Sequence, residues 1–459
     1  MMAKKKAKTL KRVQWRIEYT AFLVVERLVG LFSMESLWRI GASLSFLGYL
    51  FRSRWPIVRN NLRTALDPGT SEDEIDALTR EVFRHTTANF LTALKGGRLS
   101  SSLVQSAIIP NRLDILERAV EKGKGVILVS PHMGNFELLT QGLGASHPNW
   151  KVAAIYRPLN NIHLDPLIRK RRSNHQMKMF SKFTSYQAPI KFVRDKGILG
   201  VIADQRAGRS GTIVPFFGRL MSMSPLPAFI HKHTGAPVVG ISMRTVSPGK
   251  WEVMFHEPET REGEEISTAH IATLLEKATS QSIVDVFWMH DLWRLDRRRP
   301  LEISGKKGPF RLSQHQKTPL WPFSVLIRLP DNPSELRKTL PALEAMKASR
   351  PDFALHLLGR ERLRHEAKVS GLAHAFHSIE DHFLPKNIPL ALVMTDDERA
   401  ARELGYLYEG PIYSLPETLQ SGNNWRPVLI TTDLPPEERW MEMARELGMH
   451  EPPLGETYL

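Results

Sequence analysis

The chain of 459 residues contains no cysteine. This absence excludes disulfide scaffolds, thiolate nucleophiles and zinc sites with cysteine ligands, and it fits a reducing compartment such as the cytoplasm. The sequence also lacks a P-loop, a Gly-x-Gly-x-x-Gly motif and a His-Glu-x-x-His motif, so we expect no metal and no cofactor. Zinc-finger spacing, ribonucleoprotein aromatics and a basic leucine zipper are absent as well, which argues against nucleic acid as a partner.

No uncharged apolar run near the N-terminus reaches the roughly 20 residues of a spanning helix. Residues 21–51 are largely apolar, but Glu26, Arg27, Glu35 and Arg39 interrupt them. No small-residue cleavage site follows, so we expect no cleaved signal peptide. Two amphipathic helices lying in a membrane interface fit this pattern best. Helices packed in a protein core and a single spanning helix are the alternatives. The stretch is preceded by a basic cluster: Lys4, Lys5, Lys6, Lys8, Lys11, Arg12 and Arg16.

The charge balance points to an anionic partner. Hydrophobic residues make up 42% of the chain and charged residues 24%, which is typical of folded domains. The formal net charge is +15. Such a surface favours anionic lipid or an acidic carrier protein, although excess lysine and arginine can also be a solvated surface.

Short apolar runs alternate with helical segments, which predicts an α/β fold with a mainly parallel sheet. A basic stretch at residues 294–309 resembles a linker, and beyond it the pattern restarts. We therefore predict membrane-associated helices in residues 1–60, a main domain in 61–310 and a smaller, Rossmann-like α/β domain in 320–459. The predicted strands are 125–130, 151–156, 197–203 and 236–242, then 323–328, 353–358, 389–394 and 427–430.

The chemistry is predicted to lie where the first strand ends, in the run from Ser130 to Glu137. Five residues on an unbroken helix would leave His132 and Glu137 about 140° apart. Pro131 and Gly134 predict instead a strand-to-helix turn that lets the carboxylate fold back to the imidazole. A histidine held by a carboxylate is a general base. Because no Gly-x-Ser-x-Gly elbow or cysteine supplies a nucleophile, the simplest mechanism has His132 deprotonate a substrate hydroxyl, which attacks an activated acyl carbon directly. A structural histidine is the alternative.

Three ordered blocks resemble one family. Residues 131–137 resemble the His-x4-Asp/Glu signature of the glycerolipid acyltransferase superfamily, in the form of its lipid A late (lauroyl/myristoyl) acyltransferase branch. Residues 156–161, with the arginines of 169–172, resemble the branch's Tyr-Arg-Pro-x-Asn-Asn block. Residues 200–206 with 215–218 resemble its Asp-Gln and Pro-Phe-Phe-Gly block. The resemblance covers residues 15–300 and implies the corresponding sheet with flanking helices.

The resemblance also implies roles for individual residues. His132 would be the base and Glu137 its orienting carboxylate. Asp204 would orient an arginine of the substrate site, and Arg206 stands where family members often carry a second acid. Which arginine takes that role stays open, because the loop is about two residues short against the family pattern. The residues expected to bind substrate are Arg157, Asn160, Arg169, Arg172, Asp204 and Gln205.

The resemblance implies acyl carrier protein (or acyl-CoA) as the donor and a lipid A precursor or related envelope glycolipid as the acceptor. It further implies an anionic membrane surface, on the cytoplasmic face of the cell inner membrane. Another lipid or glycolipid acceptor is one alternative. A membrane-binding scaffold, or a glycosyl-transfer protein acting through residues 320–459, is another. That C-terminal part weakly resembles half of a heptosyltransferase-like glycosyltransferase, with Ser334 and Glu335 where that family has Gly-Asp; a generic α/β domain of other origin is equally consistent.

Overall fold

A computed structural model describes most of the chain as two compact units. The first unit comprises Met1–Arg206 and Met223–Leu292, and the second comprises Ala207–Ser222 and Trp293–Leu459. The predicted domain boundary near 310–320, the basic residues Lys306 and Lys307, and the end of the predicted N-terminal apolar stretch lie outside the described residues. The described residues are 2–46, 54–261, 263–303, 322–350, 352–384, 388–431 and 434–449.

The first unit contains a seven-stranded sheet between helices. Its helices are α1 (Met2–Val29), α2 (Met34–Ser43), α3 (Trp55–Ala65), α4 (Glu72–Gly96), α5 (Ser101–Ala107), α6 (Leu113–Glu121), α7 (Phe136–Ser146), α8 (Leu164–Arg172), α9 (Gln187–Arg194), α10 (Leu226–Thr234) and α11 (Thr268–Thr279). The strands of that sheet are β1 (Ile108–Asn111), β2 (Val126–Ser130), β3 (Val152–Tyr156), β4 (Lys178–Ser181), β5 (Ile198–Ile202), β8 (Val238–Ser247) and β9 (Lys250–His256). Two further strands, β6 (Thr212–Phe216) and β7 (Arg219–Met223), form a separate two-stranded sheet that, apart from Met223, belongs to the second unit.

The sheet order is β1-β9-β8-β2-β5-β3-β4. All neighbours run parallel except β8 and β9, which are antiparallel. Every residue of the central strand β2 is buried, as expected for a parallel strand covered on both faces. The predicted α/β class and the four predicted strands of this part are confirmed. Because β2 and β5 pair in register, with Ser130 opposite Ile202, the residues that follow these two strands emerge side by side.

The long helix α4 begins at a side-chain cap. Ser71 precedes it, and the serine hydroxyl accepts a hydrogen bond from the backbone N–H of Glu74 at 3.2 Å, as a capping serine does. The N-terminal helix α1 is 28 residues long. Among the described residues, no helix combines the length and the apolar character needed to cross a membrane.

One buried carboxylate ties α1 to α8. Glu26 of α1 is 2% exposed and accepts hydrogen bonds from Nε and Nη2 of Arg171 at 2.9 and 3.1 Å. Asn161, just before α8, donates its side-chain amide to the Trp15 carbonyl and to the Glu18 carboxylate, both at 2.9 Å. The inner face of α1 is therefore fixed by polar contacts, while much of its apolar surface faces outward.

The second unit is an α/β layer with a parallel sheet in the order β12-β11-β10-β13-β14-β15. The predicted strands at 323–328, 353–358 and 389–394 are confirmed. The predicted strand at 427–430 is wrong: the edge strand ends at Pro427, and Leu429 beyond it is 74% exposed. The strands are β10 (Phe323–Arg328), β11 (Phe353–Gly359), β12 (Ala373–Ser378), β13 (Leu390–Val393), β14 (Ile412–Ser414) and β15 (Trp425–Pro427); the helices are α12 (Pro333–Ser349), α13 (Arg364–Val369), α14 (Glu398–Leu407) and α15 (Pro436–Glu446).

Candidate active site

His132 lies in the turn that joins β2 to α7. The turn requires a glycine, because Gly134 adopts φ +58° and a Cβ there would meet the Met243 carbonyl oxygen at 2.5 Å. Asn135 then caps α7 by accepting a hydrogen bond from the Leu138 N–H at 3.1 Å. The predicted strand-to-helix turn is therefore confirmed, and His132 lies at the carboxyl edge of the sheet, where open α/β sheets bind ligands.

The carboxylate on His132 is Asp204. It follows β5 and accepts two hydrogen bonds from the histidine: from the backbone N–H at 2.8 Å and from ring Nδ1 at 2.6 Å. Burial by itself would lower the pKa of His132, but the adjacent Asp204 carboxylate outweighs it and raises that pKa. Burial would likewise raise the pKa of Asp204, yet the neighbouring imidazole lowers it. The geometry is that of a base whose protonated form is stabilised by a fixed anion.

Glu137 has a different hydrogen-bonding partner from the one expected. It forms a two-point ion pair with Arg172, the last residue of α8, with Nε of the arginine 2.7 Å from Oε2 and Nη2 bonded to Oε1. Burial would lower the pKa of Arg172, but the bond to Glu137 raises it. The sequence expectation paired Glu137 with His132 and Asp204 with an arginine, and the structure exchanges these two carboxylates. The physical reason is that the in-register strands bring Asp204 directly beside His132, whereas Glu137 already lies on the first turn of α7, facing α8.

The remaining predicted substrate-binding residues differ in their placement. Arg172 is the arginine that the structure brings to the site. Arg157, Asn160 and Arg169 are exposed, on the loop after β3 and on α8. Gln205 reaches the imidazole, with its Nε2 3.2 Å from Nε2 of His132.

Sequence reasoning missed a segment that follows α11. Its Phe287 N–H donates to the His132 carbonyl at 2.8 Å, and the Gly134 N–H donates to the Asp285 carbonyl at 2.9 Å. His290 of this segment lies 2.7 Å, Nε2 to Nε2, from Gln205. Asp204 and the segment after α11, both distant in sequence, thus hold the turn that carries His132. The only available signal was the aromatic and histidine-containing run at residues 287–290, which no strand or helix pattern singles out.

Asp285 anchors that segment. Its side chain is 1% exposed and lies 2.9 Å from Nδ1 of His85 on α4. It also accepts hydrogen bonds from the backbone N–H and the hydroxyl of Thr245, at 2.8 and 2.6 Å, and from the Ser282 hydroxyl at 2.8 Å. Burial would raise the pKa of Asp285, but His85 and Thr245 lower it. The charge is therefore buried and fully bonded.

An apolar cleft opens beside the turn. The ring centroids of Phe90 and Phe287 are 5.3 Å apart and those of Phe90 and Phe136 are 6.2 Å apart. Phe136 also contacts the His132 ring edge-on, at 5.1 Å between centroids. The cleft is also lined by Thr86, Asn89, Ala93, Gly134, Asn135, Glu137 and Asp285. The three aromatic rings therefore form an apolar wall that meets the imidazole through Phe136. In the described part of the chain, no group of three or more histidine or carboxylate residues is arranged to hold a metal ion.

Most of the chain matches a known protein family. Residues 2–295, well over half of the chain, match the model of a family described as bacterial lipid A biosynthesis acyltransferase. No curated protein matches the chain. The family match includes every element that carries the site and ends before the sheet of the second unit begins.

Proposed function

The chain belongs to the bacterial lipid A biosynthesis acyltransferase family, and from that premise we propose that it transfers a fatty acyl chain to a hydroxyl of a lipid A precursor. Its enzyme class, acyltransferase, follows from the family. The donor in this proposal is the thioester of acyl carrier protein or of coenzyme A. A related envelope glycolipid as acceptor would use the same chemistry.

The observation that carries the proposal is the contact between Nδ1 of His132 and Asp204, 2.6 Å long at the carboxyl edge of the sheet. Because the Asp204 carboxylate accepts a hydrogen bond from Nδ1–H, the neutral imidazole keeps its proton on Nδ1 and presents the lone pair of Nε2 to a substrate hydroxyl. The hydroxyl loses its proton to His132 as its oxygen attacks the thioester carbonyl. A thioester is already activated, so no enzyme nucleophile is required.

Arg172 supplies the positive charge of the site. Its two-point bond with Glu137 fixes the plane of the guanidinium, and a fixed guanidinium donates to two oxygens of one anion at once. We assign the pair Arg172–Glu137 to binding of the substrate, with a phosphate of the acceptor as the group that an arginine fork fits. Arg157 and Arg169, exposed nearby in sequence, are proposed to bind acceptor or donor at the rim.

The cleft lined by Phe90, Phe136 and Phe287 is proposed to hold the acyl chain. Each of these rings is within ring-contact distance of another, and Phe136 contacts His132. An acyl chain there would place its thioester carbon next to the base. Apolar walls also exclude water, which would otherwise hydrolyse the thioester.

The outward surface of α1 supports the proposal that the protein binds to a membrane surface. Its exposed apolar side chains include Val13, Ile17, Val24, Val25 and Leu28, of which Ile17 is 64% exposed. Lys11, Arg12 and Arg16 are exposed on the same helix, and each cation near an anionic surface contributes about 1 kcal/mol. We propose that α1 lies in the interface on the cytoplasmic face of the cell inner membrane, where a glycolipid acceptor is embedded.

The proposal is tested by mass spectrometry of envelope lipids from cells with the protein, without it, and with His132→Ala. We expect one ester-linked acyl chain to be missing from lipid A in the second and third samples. His233→Ala, an exposed histidine of α10, serves as the control and should retain the chain. Full acylation in the His132→Ala cells would contradict the proposed base, and unchanged lipid A with a change in another glycolipid would identify a different acceptor.

Membrane association is tested separately by co-sedimentation with vesicles that contain anionic phospholipid. Ile17→Glu with Leu28→Glu should weaken binding of the purified protein, because both changes place charge on the exposed apolar surface of α1. Val369→Glu, at an apolar position of the second unit that is 72% exposed, is the control and should bind as the parent does. Equal binding of all three proteins would exclude α1 as the contact.

A further inference from the structure

The Gln205 side chain lies between two imidazoles. Its Nε2 is 3.2 Å from Nε2 of His132 and 2.7 Å from Nε2 of His290, and the two rings are 5.9 Å apart between centroids. The mechanism above gives neither Gln205 nor His290 a task. The Gln205 carboxamide thus connects the proposed base, His132, to a second histidine, His290.

The proton positions follow from Asp204. Its carboxylate accepts from Nδ1 of His132, so the neutral ring carries its proton on Nδ1 and has a lone pair on Nε2. The group that faces this lone pair must donate, and the Gln205 amide therefore presents N–H. A primary amide has two such hydrogens. The second one points to Nε2 of His290, which must also accept.

His290 is suited to accept. Partial burial lowers its pKa, and His132 lowers it further whenever that ring is protonated; Arg54 acts in the same direction, while Asp204 opposes it. The ring is therefore neutral at neutral pH, with its proton on Nδ1. Its backbone is held as well: Asn61 of α3, 2% exposed, donates to the carbonyls of Trp288 and His290 at 2.9 and 2.6 Å.

The resting base is thus occupied. A substrate hydroxyl can use the Nε2 lone pair of His132 only by displacing the Gln205 N–H. Once Nε2 has taken the hydroxyl proton, it is itself a donor and no longer accepts from the amide. One amide hydrogen is then free, close to the reacting atoms, while the other keeps the carboxamide fixed to His290.

We propose that Gln205 donates this freed hydrogen to the thioester carbonyl oxygen as negative charge develops on it, and that His290 is the positioning residue that holds the carboxamide in place. The inference rests on the proposed function. In the step, the hydroxyl proton passes to Nε2 of His132, the new O–C bond forms, and the carbonyl π electrons move to oxygen. On collapse the C–S bond breaks, and the leaving thiolate takes the proton back from His132.

Kinetics of the full-length protein test the two roles, with a dodecanoyl thioester of acyl carrier protein and a lipid A precursor as substrates. Gln205→Ala should lower kcat about 100-fold, as loss of an oxyanion donor does, with KM nearly unchanged. His290→Ala should lower kcat about 10-fold, and His290→Gln should recover most of this, because its carbonyl oxygen can accept the same hydrogen. The double variant should be no slower than Gln205→Ala, since both changes act through one amide.

The kinetic controls separate this inference from the proposed function. His132→Ala must abolish transfer and His233→Ala must leave it intact; inactivity of the parent protein with these substrates would count against the proposed function instead. If the parent and controls behave as stated, an unchanged kcat in His290→Ala would overturn the positioning role. Losses that multiply in the double variant would overturn it too.

Nitrogen NMR of the histidine rings tests the same contacts without any substrate. In the parent protein, at a pH above the raised pKa of His132, the Nε2 of both His132 and His290 should be unprotonated and the Nδ1 of both should carry the proton, with signals assigned from His132→Ala and His290→Ala. Gln205→Ala should raise the pKa of His132, because a donor that stabilises the neutral ring is lost. A proton on Nε2 of either neutral ring, or an unchanged pKa of His132, would refute the assignment.

Discussion

Asp204 holds His132 by two hydrogen bonds at once, one to the ring and one to the backbone N–H, at 2.6 and 2.8 Å. A carboxylate bound in this way fixes both the position and the tautomer of the imidazole. Asp204 lies just after the neighbouring strand β5. It does not lie on α7, the helix that begins four residues after His132.

Replacement of Asp204 by asparagine should therefore lower kcat on the order of 10³- to 10⁴-fold, because the amide no longer selects the Nδ1–H tautomer or stabilises the imidazolium. Initial rates of acyl transfer measure the loss. Glu137→Gln is the informative comparison, since it leaves both bonds of Asp204 to His132 in place and should reduce activity by less. If Glu137→Gln were the more damaging change, Glu137 would be the orienting carboxylate after all.

The pH dependence of kcat/KM should have an acid limb set by His132, which is a base only when neutral. Its pKa is raised in the folded protein, so activity should fall as pH drops through a value above the roughly 6.5 of a free histidine. Removing the Asp204 charge should move this limb to lower pH while it lowers the plateau. An acid limb that Asp204→Asn leaves in place would assign the titration to another group.

The pair Arg172–Glu137 should behave as one unit. The Arg172 side chain is 21% exposed and that of Glu137 is 24% exposed. A two-point ion pair with this little exposure is expected to show a measurable coupling energy in a double-mutant cycle. We expect Arg172→Ala and Glu137→Ala each to weaken binding of the acceptor, and the double variant to lose less than the sum, with a coupling of about 1 kcal/mol or more in KM. Arg172→Lys should not restore KM, because a lysine keeps the charge without the fork. Additive losses would show that the two side chains act separately.

Gly134→Ala should displace the catalytic turn. Its φ of +58° is strained for alanine, and the new Cβ would also meet the Met243 carbonyl oxygen at 2.5 Å. Gly123→Ala separates these two effects, since Gly123 has φ +68° with no atom within 4 Å of the added Cβ. In urea unfolding, we expect Gly123→Ala to lower the free energy of unfolding by about 1 kcal/mol. Gly134→Ala should lower it clearly more and should also reduce activity. Equal losses would show that the turn accommodates the side chain.

Much of the sheet was predictable because buried parallel strands are continuous apolar runs. β2 and β10 follow that pattern, and the sequence located both to within a residue. The turn at His132 was predictable as well, since Pro131 and Gly134 exclude a helix there. The spacing of residues along the sequence does not show, however, which strands are neighbours in the sheet. Only the in-register pairing of β2 with β5 brings Asp204 beside His132, and for that reason the carboxylates were assigned the wrong way round.

The arginines and His290 show a second limit. Arg171 and Arg172 are adjacent, but neighbours on a helix point about 100° apart, so one meets Glu26 and the other meets Glu137. Sequence alone could not choose between them. His290 lies outside any helix or strand; its carbonyl accepts from Asn61, and the neighbouring Asp285 and Phe287 are bonded to the backbone of the His132 turn. Such contacts join distant parts of the chain and leave no local pattern.

The bond between Glu26 and Arg171 has a mechanical consequence. Two consecutive arginines of α8 hold carboxylates from two different elements, the N-terminal helix α1 and the active-site helix α7. A force that pulls α1 outward acts on Arg171 through Glu26. Arg172, the next residue, is bonded to Glu137, so the same force reaches that ion pair through one peptide bond. If α1 lies on a lipid surface, a force between protein and bilayer is therefore applied one residue away from Arg172, the proposed substrate-binding arginine.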